Sequence, residues 1–82
     1  GQSATQLFQE GRDAFSDKLF SRSIESFREF LDQYPSDPRG DQAGYMIGVS
    51  FFYQKKFSQA ISYFDQYEKD FPGSAYLSRT HY

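Results

Sequence analysis

The chain has 82 residues, room for one small domain, and sets 9 Lys+Arg against 11 Asp+Glu. The formal net charge of −2 supplies no general attraction to nucleic acid or to an anionic membrane. Cysteine is absent, which excludes disulfides, thiol catalysis and cysteine metal sites and leaves cytosol and periplasm both open.

No apolar run approaches the roughly 18–20 residues that a bilayer crossing needs, and no segment reads as a signal peptide. A chain this short buries only about 60% of its unfolded surface, so the core is thin. The 10 Phe and 7 Tyr supply much of what core there is.

Apolar residues recur at helical spacing nearly throughout. Leu7, Phe8, Gly11, Ala14 and Phe15 predict a helix over 3–16, closed by the polar turn Ser16-Asp17-Lys18. Phe20, Ile24, Phe27, Phe30, Leu31 and Tyr34 predict a second over 20–34, and Tyr34-Pro35 stops it because the residue before proline leaves the α region. Asp37-Pro38 reads as N-cap and first position of a third helix over 38–54, carrying Ala43, Met46, Ile47 and Phe51. After the turn Gln54-Lys55-Lys56, a fourth helix over 57–71 carries Phe57, Ala60, Ile61, Phe64, Tyr67 and Phe71. Ser74 caps a fifth over 74–82. No stretch alternates long enough for a strand, so the fold is all-α.

Gly40, Gly44 and Gly48 fall on one face of the third helix. Each costs a helix roughly 0.8–1 kcal/mol against alanine, and close approach of a neighbouring helix is the simplest offset. Asp41 and Gln42 exclude the membrane GxxxG reading.

The second half repeats the first at an offset of 37: Gly11, Phe15, Lys18, Phe20, Ser21, Ile24, Phe27 and Pro35 recur as Gly48, Phe52, Lys55, Phe57, Ser58, Ile61, Phe64 and Pro72. A fixed period of that size marks stacked supersecondary units. Repeat one runs about 3–36, repeat two 37–73, and 74–82 opens a third. Because about three units are normally needed, a longer solenoid is expected. Helices four and five would expose apolar surface including Phe71, Tyr76 and Leu77.

These residues resemble the tetratricopeptide repeat (TPR) family. Gly11 and Gly48 match its small residue of helix A, Ser23 and Ala60 that of helix B, Phe27 and Phe64 its aromatic, and Pro35 and Pro72 its closing proline. The usual period is about 34, and the additional residues lie in Pro35-Ser36-Asp37-Pro38-Arg39-Gly40-Asp41. That longer form is similar to the TPRs of bacterial envelope proteins, such as the Tol-Pal system's periplasmic partner and outer-membrane-assembly lipoproteins. Tyr34-Pro35-Ser36-Asp37 with Ala43-Gly44-Tyr45-Met46-Ile47-Gly48, and Lys56-Phe57-Ser58-Gln59-Ala60-Ile61, carry the likeness. Glu10, at a leucine-like position, and Gly44, at a bulky one, depart from the pattern. Repeat one then acts as a cap with a polar outer face.

The resemblance implies a helix–turn–helix solenoid whose helix A residues line a groove for a peptide or a partner helix. By register the groove residues are Phe8, Arg12, Phe15, Tyr45, Val49, Phe52 and Tyr82. Arg12 and Val49 stand where clamps for chaperone tails use asparagine, so that ligand class is not expected. The implied function is a non-catalytic protein-interaction scaffold in the periplasm or envelope, with cytoplasm also compatible. The alternative is a homo-oligomer joined through the truncated third repeat. No cofactor or metal is expected: His81 is the only histidine, and no nucleophile elbow or phosphate loop appears. The tyrosine density suits helix packing better than base or sugar stacking, because no basic surface accompanies it in the sequence.

Overall fold

The computed structural model describes the backbone of residues 1–79 and the side chains of residues 1–77. Four α-helices form two antiparallel hairpins: α1 (Ala4–Ser16) with α2 (Phe20–Gln33), and α3 (Gly40–Tyr53) with α4 (Phe57–Asp70). A 3₁₀ helix, Ala75–Arg79, follows. This is the all-α, TPR-like stack of helical hairpins that the repeat pattern predicts.

Each boundary has a local cause. Ser3 opens α1 with a capping box: its hydroxyl accepts the Gln6 N–H at 3.1 Å while the Gln6 amide oxygen accepts the Ser3 N–H at 2.9 Å. Both hairpins turn through the same Schellman motif. The Leu19 N–H reaches the Ala14 carbonyl at 2.8 Å, and the Lys56 N–H reaches Phe51 at 3.0 Å. The residue between helix end and return is Lys18 in one hairpin and Lys55 in the other, each at φ 63°. That conformation costs a residue with a Cβ about 1–2 kcal/mol.

α3 starts at Gly40, two residues later than the sequence predicts. The Asp37 carboxylate accepts the Arg39 N–H at 2.9 Å, and the Gly40 N–H goes back to the Asp37 carbonyl at 3.0 Å. This tight turn takes the place of a first helical turn. Ser74, the equivalent of Asp37, accepts the Tyr76 N–H in the same way at 3.1 Å. The predicted fifth helix is 3₁₀ over Ala75–Arg79, and its last residues, 80–82, lie outside the described residues.

Within a hairpin the two helices meet glycine to ring. A Cβ added at Gly11 would fall 2.7 Å from the Phe27 ring, at Gly44 2.8 Å from Tyr67, and at Gly48 2.5 Å from Phe64. Gly40 is looser, at 3.3 Å from Phe71. Between hairpins, Ile24, Phe27 and Phe30 of α2 pack with Ala43, Ile47 and Phe51 of α3 in one core that also takes Leu7, Phe8 and Ala60. Ser23 is buried there but satisfied, donating to the Gly11 carbonyl at 2.8 Å.

The exposed apolar surface differs from the expectation. Phe71, Tyr76 and Leu77 are half-buried, whereas Phe57 and Ile61 on α4 stand in solvent. Phe71 is drawn in because Gly40 and Gly44 leave room for its ring.

Gly48→Ala is expected to lower stability by about 1–3 kcal/mol, since a methyl group there collides with a packed ring. Gly40→Ala, where the contact of 3.3 Å is tight but asks the Phe71 ring to give only a few tenths of an ångström, should change it by less than about 1 kcal/mol, steric cost offsetting helix propensity. Urea midpoints measure both, and equal losses would contradict the packing.

Candidate functional site

The predicted groove residues fall on one stripe of α1 (positions 8, 12, 15) and the equivalent stripe of α3 (positions 45, 49, 52), as helical spacing requires. Phe8 is only 6% exposed. It packs edge-on to Phe27 with ring centroids 5.5 Å apart and tilts against Phe30 at 5.4 Å, so it offers a partner almost no area. Arg12 is exposed. Phe15 is half-buried, edge-on to Phe20 at 5.5 Å. Val49 is half-buried, one turn from Tyr45, and Phe52 is 48% exposed, edge-on to Phe57 at 5.3 Å. Tyr82 lies outside the described residues.

Tyr45 is the best-supported side chain of the stripe. Its ring stacks on Tyr76 with centroids 4.9 Å apart and lies 6.0 Å from Phe64. Tyr76 was not among the predicted groove residues. Its placement follows from Ser74, whose hydroxyl starts the 3₁₀ helix, pairs with the Tyr67 hydroxyl at 2.7 Å and donates to Asp41 Oδ2 at 3.2 Å. That chain ties α4, the 3₁₀ helix and α3 together. Burial pushes the Tyr67 phenol above its ordinary pKa, even with Ser74 beside it. The sequence signal was present in Ser74 as a cap, but the stack it produces depends on where α3 passes.

The surface so assembled is aromatic, with a guanidinium at Arg12, and suits recognition rather than chemistry. Among the described residues no group of three His, Asp or Glu side chains could hold a metal ion. No helix of the described residues is long and apolar enough to cross a membrane.

Comparison with known proteins adds the family. The profile of YfiO, described as an outer membrane lipoprotein, matches residues 1–82. The chain belongs to the YfiO family. No curated relative and no solved structure matches it. Membership places this chain in the bacterial cell envelope and gives it a protein-interaction role there.

The segment that lengthens the repeat in this YfiO-family chain is a structural clamp. Arg39 grips Asp37 with two bonds, Nε to Oδ1 and NH2 to Oδ2, both 2.9 Å. Its guanidinium also lies 5.3 Å from the Phe8 ring centroid and 5.6 Å from Phe30, and donates to Thr5 Oγ1 at 3.2 Å. One side chain therefore joins α1, α2 and the turn before α3. Asp37 and Asp41, an i, i+4 pair in sequence, serve separate contacts: Asp37 holds Arg39, and Asp41 accepts from Ser74.

The Arg39 side chain, helped by the Arg39 backbone N–H, holds the Asp37 carboxyl well below the usual range, at about 2. The folded state thus favours the carboxylate. This contribution to stability is complete above the unfolded value of 3.8 and is lost as pH falls through about 2. Asp37→Asn should remove that part of the acid sensitivity, seen as a flatter dependence of the urea midpoint between about pH 4 and 2. An unchanged profile would contradict the clamp.

Proposed function

We propose that this chain is a non-catalytic interaction scaffold of an envelope assembly, built from repeats 3–36 and 37–73 and the opening of a third, 74–82. The α1/α3 stripe takes a peptide or a partner helix, with Arg12, Tyr45, Val49 and Phe52 as its contacts. The observation that carries this reading is the Tyr45–Tyr76 stack, with Phe52 exposed on the same stripe. Rigid aromatic area held outside the core is what interface anchors use. Phe8 supports the stripe from beneath rather than touching the partner.

Membership of an outer membrane lipoprotein family supports a protein partner in the envelope. A second reading, self-association, is favoured by the α4 face. Ile24 on α2 is 5% exposed under α3, and its equivalent Ile61 on α4 is 55% exposed. A helix in the register of α3 would cover Ile61 as α3 covers Ile24. The scaffold reading assigns that cover to a further repeat, and the alternative assigns it to a second copy.

A photo-crosslinking residue at position 49, in envelope extract, is expected to give a discrete product that Tyr45→Ala abolishes without changing helicity. The same group at position 29, on the other hairpin face, should give none. Products that contain only this chain would favour the self-association reading, and equal labelling at both positions would sink the groove.

A further inference from the structure

The small net charge hides a separation along the helix axes. The two turns within the hairpins are held side by side: Gln54 Nε2 donates to Ser21 Oγ at 2.7 Å, and Tyr53 stacks on Phe20 at 5.3 Å. This edge carries Lys18, Lys55, Lys56 and Arg22 against Asp13, Asp17 and Glu25, and so holds three of the four lysines in the chain. The opposite ends of the helices, roughly 20 Å away for a helix of this length, carry Asp32, Asp37, Asp41, Glu68 and Asp70 against Arg39 and Lys69. Apart from Ile61 on the α4 face, the large exposed apolar side chains among the described residues gather at the lysine edge. Leu19, Phe52, Tyr53 and Phe57 there are each about half exposed.

We propose that the turn edge docks on an anionic phospholipid surface. The lysines meet headgroup phosphates, while Leu19, Tyr53 and Phe57 enter the boundary between headgroups and acyl chains. Cationic and apolar groups side by side are the two signals that peripheral membrane binding combines. Two features favour a bilayer over an acidic protein as occupant. The edge consists of hairpin turns, and they flank a solvent-open notch of about 680 Å³, where Lys18 and Arg22 outnumber Glu25 and leave room for a headgroup. Kinship with outer membrane lipoproteins also keeps the chain beside a membrane. The acidic edge then faces away, and the α1/α3 stripe stays open at the side except at Phe52, which packs on Phe57 at the docked edge. This docking does not depend on what the stripe binds.

Lys18 and Lys55 hold left-handed backbone at equivalent turns, where glycine would be unstrained. Glycine would also remove the charge, so the choice of lysine at both turns accords with a surface that uses it.

The test is sedimentation of the 82-residue chain with sucrose-loaded vesicles of phosphatidylcholine alone or with about three-tenths phosphatidylglycerol, in about 0.1 M salt, where charges are screened over about 10 Å. Binding is expected only with phosphatidylglycerol. The Lys18→Gln/Lys55→Gln/Lys56→Gln variant should lose roughly a hundred-fold in partitioning, on the order of five-fold per lysine. Leu19→Ser/Phe57→Ser should weaken binding yet keep the lipid dependence. Lys69→Gln, at the acidic edge, should match the parent, and circular dichroism checks that each variant is folded. No phosphatidylglycerol-dependent binding, or equal losses for Lys69→Gln and the triple variant, would overturn the proposal. So would binding to polyglutamate without binding to vesicles, which would assign the edge to an acidic protein.

Discussion

Everything in this molecule depends on a ring of helix B lying against a glycine of helix A. Phe27 occupies the space over Gly11, Phe64 that over Gly48, and Tyr67 that over Gly44. A methyl group at any of these points would come within 3 Å of a ring carbon, closer than packed interiors allow. The approach fixes the distance between the helices of a hairpin. It also sets which side chains of α2 are left to face α3. The helix propensity lost at each glycine, about 0.8–1 kcal/mol, is small against the roughly 3–5 kcal/mol that removal of a buried phenylalanine costs.

From that constraint follows a stack with direction. The side of α2 that carries Ile24 and Phe27 is closed by Ile47 and Phe51 of α3. The same side of α4 repeats it with Ile61 and Phe64, of which Ile61 is in solvent. The other end of the stack is chemically different. Where α3 sets Ile47 and Phe51 against its neighbour, α1 has Glu10 and Ala14. Those two, with Asp13, Arg22 and Glu29, line a hollow of about 470 Å³ open to water. Stacking a copy end to end would put Glu10 where Ile47 now sits, and a buried unpaired carboxylate is costly. The two ends are therefore not complementary, and the α4 face calls for a helix patterned like α3.

Most of the fold was legible because the repeat is nearly rigid in sequence. The 37-residue offset, the glycines and the prolines place four helices within a few residues, and the polar cap character of repeat one is visible in Glu10. The start of α3 was less legible, since Asp-Pro suits both a helix cap and a tight turn. The choice was decided by Arg39, which folds back onto Asp37 and the Phe8 ring from across the core. The stripe proposed as a groove was legible by register, but the exposure of its side chains was not: Phe8 and Tyr45 hold equivalent positions, yet Arg39 and Phe30 enclose Phe8 while Tyr45 meets Tyr76. The charge separation was hidden by a balanced total, because it appears only when both turns are brought to one edge.

The most direct measurement is the stability lost on Ile24→Ala and on Ile61→Ala in the same chain at low concentration. The two residues are equivalent in the repeat and differ in what covers them. The account predicts a loss of about 2–4 kcal/mol at position 24 and less than about 1 kcal/mol at position 61. Equal losses would mean that the α4 face is already covered in solution, and would contradict the claim that it waits for a helix patterned like α3.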